Sequence, residues 1–367
     1  MQSLFRGSEL WDIYEKVEAQ ERLGREEGLR LLQSQDLLAI GYLADLVRRR
    51  KHGDRAYFIV NRHINYTNIC VNRCRLCAFG KDAGDPEAYT LSLDEIEAKA
   101  LEARRDHHSE IHIVGGLNPD LPLEYFEEML QRVSQILPGV HIQAFTAVEI
   151  DFFARTSGLS VEEVLTRLRL AGLGSLPGGG AEVFSPRVRE LICPRKISGE
   201  RWLEVMETAH RLGLRSNATL LYGHVETAEE RVDHLLKLRE LQDRTGGFLA
   251  FIPLAFHPQN TGLAHLKPSR TTGFDDLKML AVARLLLDNF PHIKAFWIMI
   301  GPKLAQVSLA FGADDLDGTV VEERITHAAG AETGQSLTKA ELVAMIKAAG
   351  LAPVQRDTLY NVVEEVF

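Results

Sequence analysis

An α/β chain folded as a (βα)8, TIM-like barrel with helical extensions at both ends is what this sequence predicts, and three observations predict it. Strand-like runs alternate with helix-like ones about eight times, at roughly thirty-residue spacing. Hydroxyl–carboxylate pairs three residues apart mark where helices start. No stretch rich in Pro, Gly or Ser divides the chain, so one catalytic domain (53–325) lies between an N-terminal extension (1–52) and a C-terminal one (326–367). An open doubly wound sheet is the alternative arrangement of the same units.

Residues 8–50 carry apolar side chains at three- and four-residue spacing and read as helical. The strand candidates then follow in order: AYFIVNRHINYT (56–67), EIHIVGG (110–116), HIQAFTAVEI (141–150) and GLGSLPG (172–178). LRSNATLLYG (214–223), GFLAFIPLAF (247–256), HIKAFWIMI (292–300) and the short LDGTVV (316–321) complete the set. Between them, Ser92 with Glu95, Ser160 with Glu163, Thr227 with Glu230 and Thr338 with Glu341 form capping boxes. Gly213 and Gly312 stand where helices should stop.

Composition narrows the class. Lys plus Arg is 42 against 51 Asp plus Glu, a net charge of −9, which gives no footprint for nucleic acid or anionic lipid. The basic run VRRRKHGDR at 47–55 reads as a helix C-terminus. Residues 1–20 contain no uninterrupted apolar core of the secretory kind, and no run is long enough to span a bilayer. The 4 cysteines form no disulfide framework. A soluble, cytoplasmic protein is expected.

Three of those cysteines fall in eight positions, CVNRCRLC at 70–77, just past the first barrel strand. Active sites of such barrels lie at the C-terminal ends of the strands, so this loop belongs to the catalytic rim. Thiolates select zinc or an iron–sulfur cluster. Structural zinc closes on four ligands, and the remaining cysteine, Cys193 in LICPRK, lies far downstream and reads as a buried small residue. His63 would be the other fourth ligand, although it reads as a barrel-strand residue. A cluster held by Cys70, Cys74 and Cys77 keeps one iron open, as catalysis requires.

The CxxxCxxC spacing and its place after the first strand resemble the radical S-adenosylmethionine (SAM) superfamily. That resemblance implies a [4Fe–4S] cluster on the three cysteines and SAM chelated to the open iron. Gly115 and Gly116, ending the second strand, resemble the element that receives the SAM amino group. TLLYGHVE at 219–226 resembles the adenine-contacting pattern GxIxGxxE, with Thr219, Leu221, Gly223 and Glu226 in place. Glu226 equally suits the N-terminus of the next helix. Leu76 departs from the aromatic residue often found before the third cysteine.

Longer blocks, among them NYTNICVNRCRLCAFGKD, GSLPGGGAEVFS and FIPLAFHPQNT, resemble the aminodeoxyfutalosine synthases, the radical SAM family of the futalosine route to menaquinone. Sister families share several blocks: dehypoxanthine futalosine cyclases and the enzymes that build the deazaflavin F420 core. In those a glutamine precedes the Gly-Gly pair, where this chain has Val114. The resemblance implies addition of a 5′-deoxyadenosyl radical to 3-[(1-carboxyvinyl)oxy]benzoate, with rearrangement and loss of CO2, to form 6-amino-6-deoxyfutalosine. SAM is consumed, and an external one-electron donor of flavodoxin or ferredoxin type is expected.

On this reading Glu182 in PGGGAE contacts SAM, or is a solvated loop carboxylate. Gly178, Gly179 and Gly180 cradle a ligand or make a turn. His257 after the sixth strand handles a substrate carboxylate or a proton, or caps its loop. Asn65, Thr67, Tyr222 and His224 are further substrate candidates on the rim. The rival classes are a zinc-stabilised barrel without radical chemistry and a regulator that binds SAM without cleaving it.

Overall fold

Three helices, α1 (Trp11–Glu18), α2 (Arg25–Gln33) and α3 (Leu37–His52), form the N-terminal extension and lead into the first barrel strand. The computed structural model describes Phe5 and residues 8–266 and 270–366, so the remaining residues of both extensions lie outside the described part. Helix α3 buries Ile40, Leu43 and Ala44 on one face and brings Gly41 against the Phe311 ring, where a Cβ would sit 2.5 Å from a ring carbon.

Residues 55–64 form two strands, β1 (Arg55–Ile59) and β2 (Asn61–Ile64), which join different sheets. After β2 come α4 (Leu93–Arg105), β3 (Glu110–Ile113), α5 (Leu123–Ile136) and β4 (His141–Ala144). Then follow α6 (Ala147–Ser157), α7 (Val161–Ala171), β5 (Ser175–Leu176), α8 (Pro186–Ile192), α9 (Gly199–Arg211) and β6 (Arg215–Tyr222). The series continues with α10 (Ala228–Thr245), β7 (Phe248–Ala255), α11 (Gly273–Leu286), β8 (His292–Ile293), α12 (Trp297–Ile300), α13 (Pro302–Ser308) and β9 (Asp315–Gly318). Strands β2 to β8 pair in parallel in chain order. The run through β9 closes the ring, bridging Lys294 at Asp315 and Arg62 at Val321, both in parallel. Closure of this kind removes both sheet edges and gives the (βα)8 barrel.

All four expected capping boxes form, each hydroxyl accepting the N3 amide while the N3 carboxylate accepts the cap amide. Gly213 and Gly312 take positive φ beyond their helices, at 82° and 93°.

The sequence expectation fails where apolar runs lack a usable period. HIQAFTAVEI is strand only to Ala144, because Thr146 caps α6 and Glu149 answers it in a further capping box. HIKAFWIMI is strand only at His292–Ile293; Trp297 begins a helical turn and its indole donates to the Gly318 carbonyl at 2.8 Å. Both runs are mostly buried and carry no exposed position, so alternation cannot distinguish strand from helix in them. The C-terminal extension is not wholly helical. It carries α14 (Ile325–Ala328) and α15 (Lys339–Ala348), then two antiparallel strands, β10 (Ala352–Arg356) and β11 (Val362–Glu365). Strand β10 finds a parallel partner in β1, which the barrel sheet leaves free on that side.

These strands seal the N-terminal mouth of the barrel. The Thr358 hydroxyl donates to Glu110 at 2.7 Å, and Tyr360 stacks on His292 with centroids 3.5 Å apart. Among the described residues no helix is long and apolar enough to cross a membrane.

Candidate active site

The loop after β2 carries Cys70, Cys74 and Cys77, and all three line one cavity of about 680 Å³ that opens at the C-terminal ends of the strands. That volume is typical of small-molecule sites. The thiols are free of disulfides. Gly80 folds the loop back, donating its amide to Cys77 Sγ at 3.4 Å. Burial pushes the Cys74 thiol up to about 12, with nearby Lys196 working against the rise. A bare thiolate there is disfavoured, so binding a cation is what would hold it deprotonated.

The donor set tests zinc against a cluster. Structural zinc closes on four ligands, and among the described residues neither candidate for a fourth joins the three cysteines. His63 is inside the barrel, its ring stacked on His112 at 4.4 Å, and Cys193 is buried outside the cavity lining.

The Gly-Gly turn lies directly against the cysteine loop. A Cβ on Gly116 would come 2.1 Å from the Ile69 carbonyl oxygen and 3.1 Å from Cys70 Cβ. One on Gly115 would meet the Tyr66 ring at 2.7 Å. Only glycine permits this approach. Glu149 fixes the turn: it accepts from the Gly115 amide at 3.0 Å, from Tyr66 Oη at 2.8 Å and from Thr146 N and Oγ1 at 2.7 Å each. Burial holds its carboxyl above the usual range. Glu149 went unseen because its segment reads as strand; the Thr-x-x-Glu spacing at 146–149 was the available signal.

Glu182 lines the same cavity at a positive φ of 46° and pairs with Lys196 at 2.6 Å. Burial alone would raise the Glu182 carboxyl, but the Lys196 ammonium outweighs it and the net shift is downward. Lys196, absent from the sequence expectation, also lies in the field of Cys74 and Cys193. Gly178, Gly179 and Gly180 form the adjoining wall, Thr219 donating to the Gly178 carbonyl at 2.7 Å. Leu221 lines the cavity beside Thr219.

Seven expected site residues face elsewhere. Asn65 donates to the Val114 carbonyl and Thr67 to that of Tyr89, both bracing the loop from behind. Tyr222 donates to Asp276 at 2.7 Å in the outer layer. Gly223 makes a tight turn at φ 87°, and His224 bonds the Leu221 carbonyl. Glu226 accepts from the Gly223 and His224 amides and pairs with Arg231, so it orders this turn instead of touching ligand. His257 is turned to the Met299 carbonyl at 2.9 Å. Strand-end residues alternate sides, and these take the outward or backward direction.

Deeper in the barrel the cavity meets residues that sequence reading did not single out: Asn61, Glu110, His112, Gln143, Asn217, Lys294 and Asp317. They are inward positions of successive strands, legible only once the register is known.

Comparison with known proteins agrees with this geometry. Residues 64–238 match the model of the radical SAM superfamily, and residues 245–366 match that of the CofH/MqnC C-terminal region. The chain is 49% identical to an aminodeoxyfutalosine synthase of Thermus thermophilus, over 97% of this chain and 96% of that protein. It is 45% identical to a 5-amino-6-(D-ribitylamino)uracil–L-tyrosine 4-hydroxyphenyl transferase of Archaeoglobus fulgidus, over 91% of this chain and 97% of that one. The crystal structure of methylornithine synthase shares the fold, with a TM-score of 0.73 at 18% identity over 92% and 96% of the two chains.

Proposed function

The chain belongs to the radical SAM superfamily, and from that premise we propose that it is an aminodeoxyfutalosine synthase acting in menaquinone biosynthesis. Its cofactors are a [4Fe–4S] cluster and SAM. Cys70, Cys74 and Cys77 are the ligands we assign to the cluster. When bound, the cluster supplies the electron that divides SAM into methionine and a 5′-deoxyadenosyl radical.

The chain's own residues then bind, orient and exclude water. The Gly115–Gly116 turn, held by Glu149, offers backbone carbonyls beside the cysteine loop. The Glu182–Lys196 pair and the glycines at 178–180 bound the SAM side of the cavity, and Thr219 and Leu221 supply the wall for adenine. In the net reaction, C5′ of SAM joins the vinyl CH2 of 3-[(1-carboxyvinyl)oxy]benzoate as the C5′–S bond breaks. The aryl group passes from the ether oxygen to carbon and the oxygen becomes the ketone. The enolpyruvyl carboxylate leaves as CO2 with return of the electron that divided SAM, so the sum is redox-neutral.

The observation that carries this reading is similarity to the Thermus synthase along nearly the whole chain, at 49% identity. The similarity to the Archaeoglobus transferase, at 45%, favours a second reading: transfer chemistry on L-tyrosine and 5-amino-6-(D-ribitylamino)uracil. One experiment separates them. Reconstituted enzyme is given reductant, SAM and either substrate set, and products are identified by mass spectrometry. Adenosyl carbon covalently joined in aminodeoxyfutalosine, with methionine and CO2 released, is expected. Product only from tyrosine and the uracil would overturn the proposal in favour of the sister activity.

A further inference from the structure

The floor of the cavity holds a buried ammonium that the protein itself leaves without a hydrogen bond. Lys294 is 4% exposed and follows β8 into the barrel interior. Among the described residues its side chain makes an ion pair with Asp317 Oδ1 at 3.8 Å, beyond hydrogen-bond reach. Burial pushes the Asp317 carboxyl upward, which weakens it as a counter-ion. Glu110, the other carboxylate of the floor, accepts from Asn61 at 3.3 Å and Thr358 at 2.7 Å. Burial opposes its charge, but the Lys294 ammonium is chief among the influences that draw its carboxyl down, without a hydrogen bond to it. A buried ammonium with its donors unspent is costly unless a ligand supplies the acceptor.

Beside it are two donors of the right kind. The rings of His63 and His112 stack at 4.4 Å, and burial pushes both below the usual histidine range, which favours the neutral rings. His112 is also engaged by the Gln143 side chain, so His63 is the ring with its N–H uncommitted. His63 makes no side-chain hydrogen bond among the described residues. Both rings and Lys294 line the cavity opposite its cysteine-bearing mouth.

We propose that Lys294, with His63 and His112, forms an arylcarboxylate subsite that anchors the ring carboxylate of the substrate. The assignment rests on the functional reading above, and the chemistry of that substrate selects which carboxylate fits. The enolpyruvyl carboxylate sits on the reacting alkene, must stay near the mouth, and departs as CO2. The ring carboxylate lies across the arene from the reacting carbon and survives into product. An anchor there holds the arene through the rearrangement without obstructing the carboxylate that leaves.

The test measures binding to cluster-loaded enzyme with SAM and no reductant, so that no turnover occurs, by anaerobic calorimetry. Two ligands are compared: 3-[(1-carboxyvinyl)oxy]benzoate and the phenyl enolpyruvyl ether that lacks the ring carboxylate. Wild type should prefer the dianion by about 30-fold, the range of a charge-assisted contact. Lys294→Met should bring the two ligands within about threefold, and Lys294→Arg should recover part of the preference. A lysine needed only for folding would not produce this ligand-dependent change. If Lys294→Met loses its iron or its folded circular dichroism, Lys294→Gln takes its place in the same comparison.

Equal binding of both ligands by wild type, or a preference that survives in the variant, overturns the subsite. Product formation with no preference overturns the subsite and leaves the reaction standing. Preference without product overturns the reaction and leaves an arylcarboxylate subsite.

Discussion

The two mouths of this barrel are both rich in ionisable groups, yet they treat them in opposite ways. At the N-terminal mouth Asp314 is completely enclosed and fully used. It accepts from Arg284, from the Ile293 amide at 2.8 Å and from His292 Nδ1 at 2.6 Å, while Arg284 also serves the Gly312 and Pro291 carbonyls. At the C-terminal mouth three thiols and the Gly-Gly turn border open volume, and Lys294 below them holds its donors in reserve. Asp314 thus spends its bonds on holding the base, although Arg356 Nη2 and Tyr360 Oη stay unpartnered there, whereas the thiols and Lys294 border volume that a ligand can fill. Stability and chemistry should therefore separate by mouth.

The largest expected effect lies at the rim. Replacing Cys70, Cys74 or Cys77 by Ala should abolish the cluster and all adenosyl chemistry, read by iron analysis and product mass spectrometry. Cys193→Ala should retain its iron. Loss of iron in that variant as well would break the distinction between the loop and the wall behind it.

Asp314→Ala is the matching operation at the base. It strands the Arg284 guanidinium in the interior, and the expected cost is ~3–5 kcal/mol of unfolding free energy. Burial works against ionisation of Asp314, but His292 and Arg284 outweigh it and hold the carboxyl well below the usual range. Urea denaturation measures the loss, and protein that remains folded should load iron as wild type does. A variant that kept its stability but lost iron would sink the comparison.

Between the mouths, His234 tests the barrel wall. Its Nδ1 accepts from the Phe184 amide at 3.2 Å and its Nε2–H donates to the Thr219 carbonyl at 2.9 Å, so the fold requires the neutral ring. Burial pushes its pKa down to about 3. The folded state binds fewer protons than the unfolded one between that value and about 6.5. Its contribution is therefore complete above about 6.5 and is lost as pH falls, by up to ~1.4 kcal/mol per unit. His234→Gln keeps the donor to Thr219 and should flatten the acid limb of stability against pH. An unchanged slope would mean that half-buried histidines whose pKa is also depressed, His52 and His210, carry it.

What was legible in the sequence follows the same physics. CVNRCRLC, the Gly-Gly pair and the capping boxes were readable because local spacing alone determines what they do. Tyr222, His224 and His257 read from sequence as rim residues, but strand ends alternate direction, and one residue of register decides between cavity and outer layer. The loop-cap alternative for His257 fits its bond to the Met299 carbonyl. His63 and His112 pair directly on the neighbouring strands β2 and β3, and Lys294 joins them from the far end of the chain where the barrel closes. No local pattern announces a layer of that kind. Strands β10 and β11 were missed because their pairing partner, β1, belongs to the opposite end of the sequence.

The smallest effect gives the finest comparison, since one motif occurs at both mouths. Thr338 caps α15, which leads to the base strand β10, and its partner Glu341 answers only the cap. Thr146 caps α6 at the rim, and its partner Glu149 also holds the Gly115 amide and the Tyr66 hydroxyl. Replacing either threonine by Ala removes one cap and should cost ~1 kcal/mol of stability. Only Thr146→Ala also loosens the carboxylate that fixes the Gly-Gly turn. It should weaken SAM binding to the cluster-loaded enzyme in calorimetry, whereas Thr338→Ala should not. Equal SAM affinity in the two variants would show that Glu149 keeps the turn in place without its cap. The rim and base boxes would then be interchangeable, and the glycines alone would set the approach to the cysteine loop.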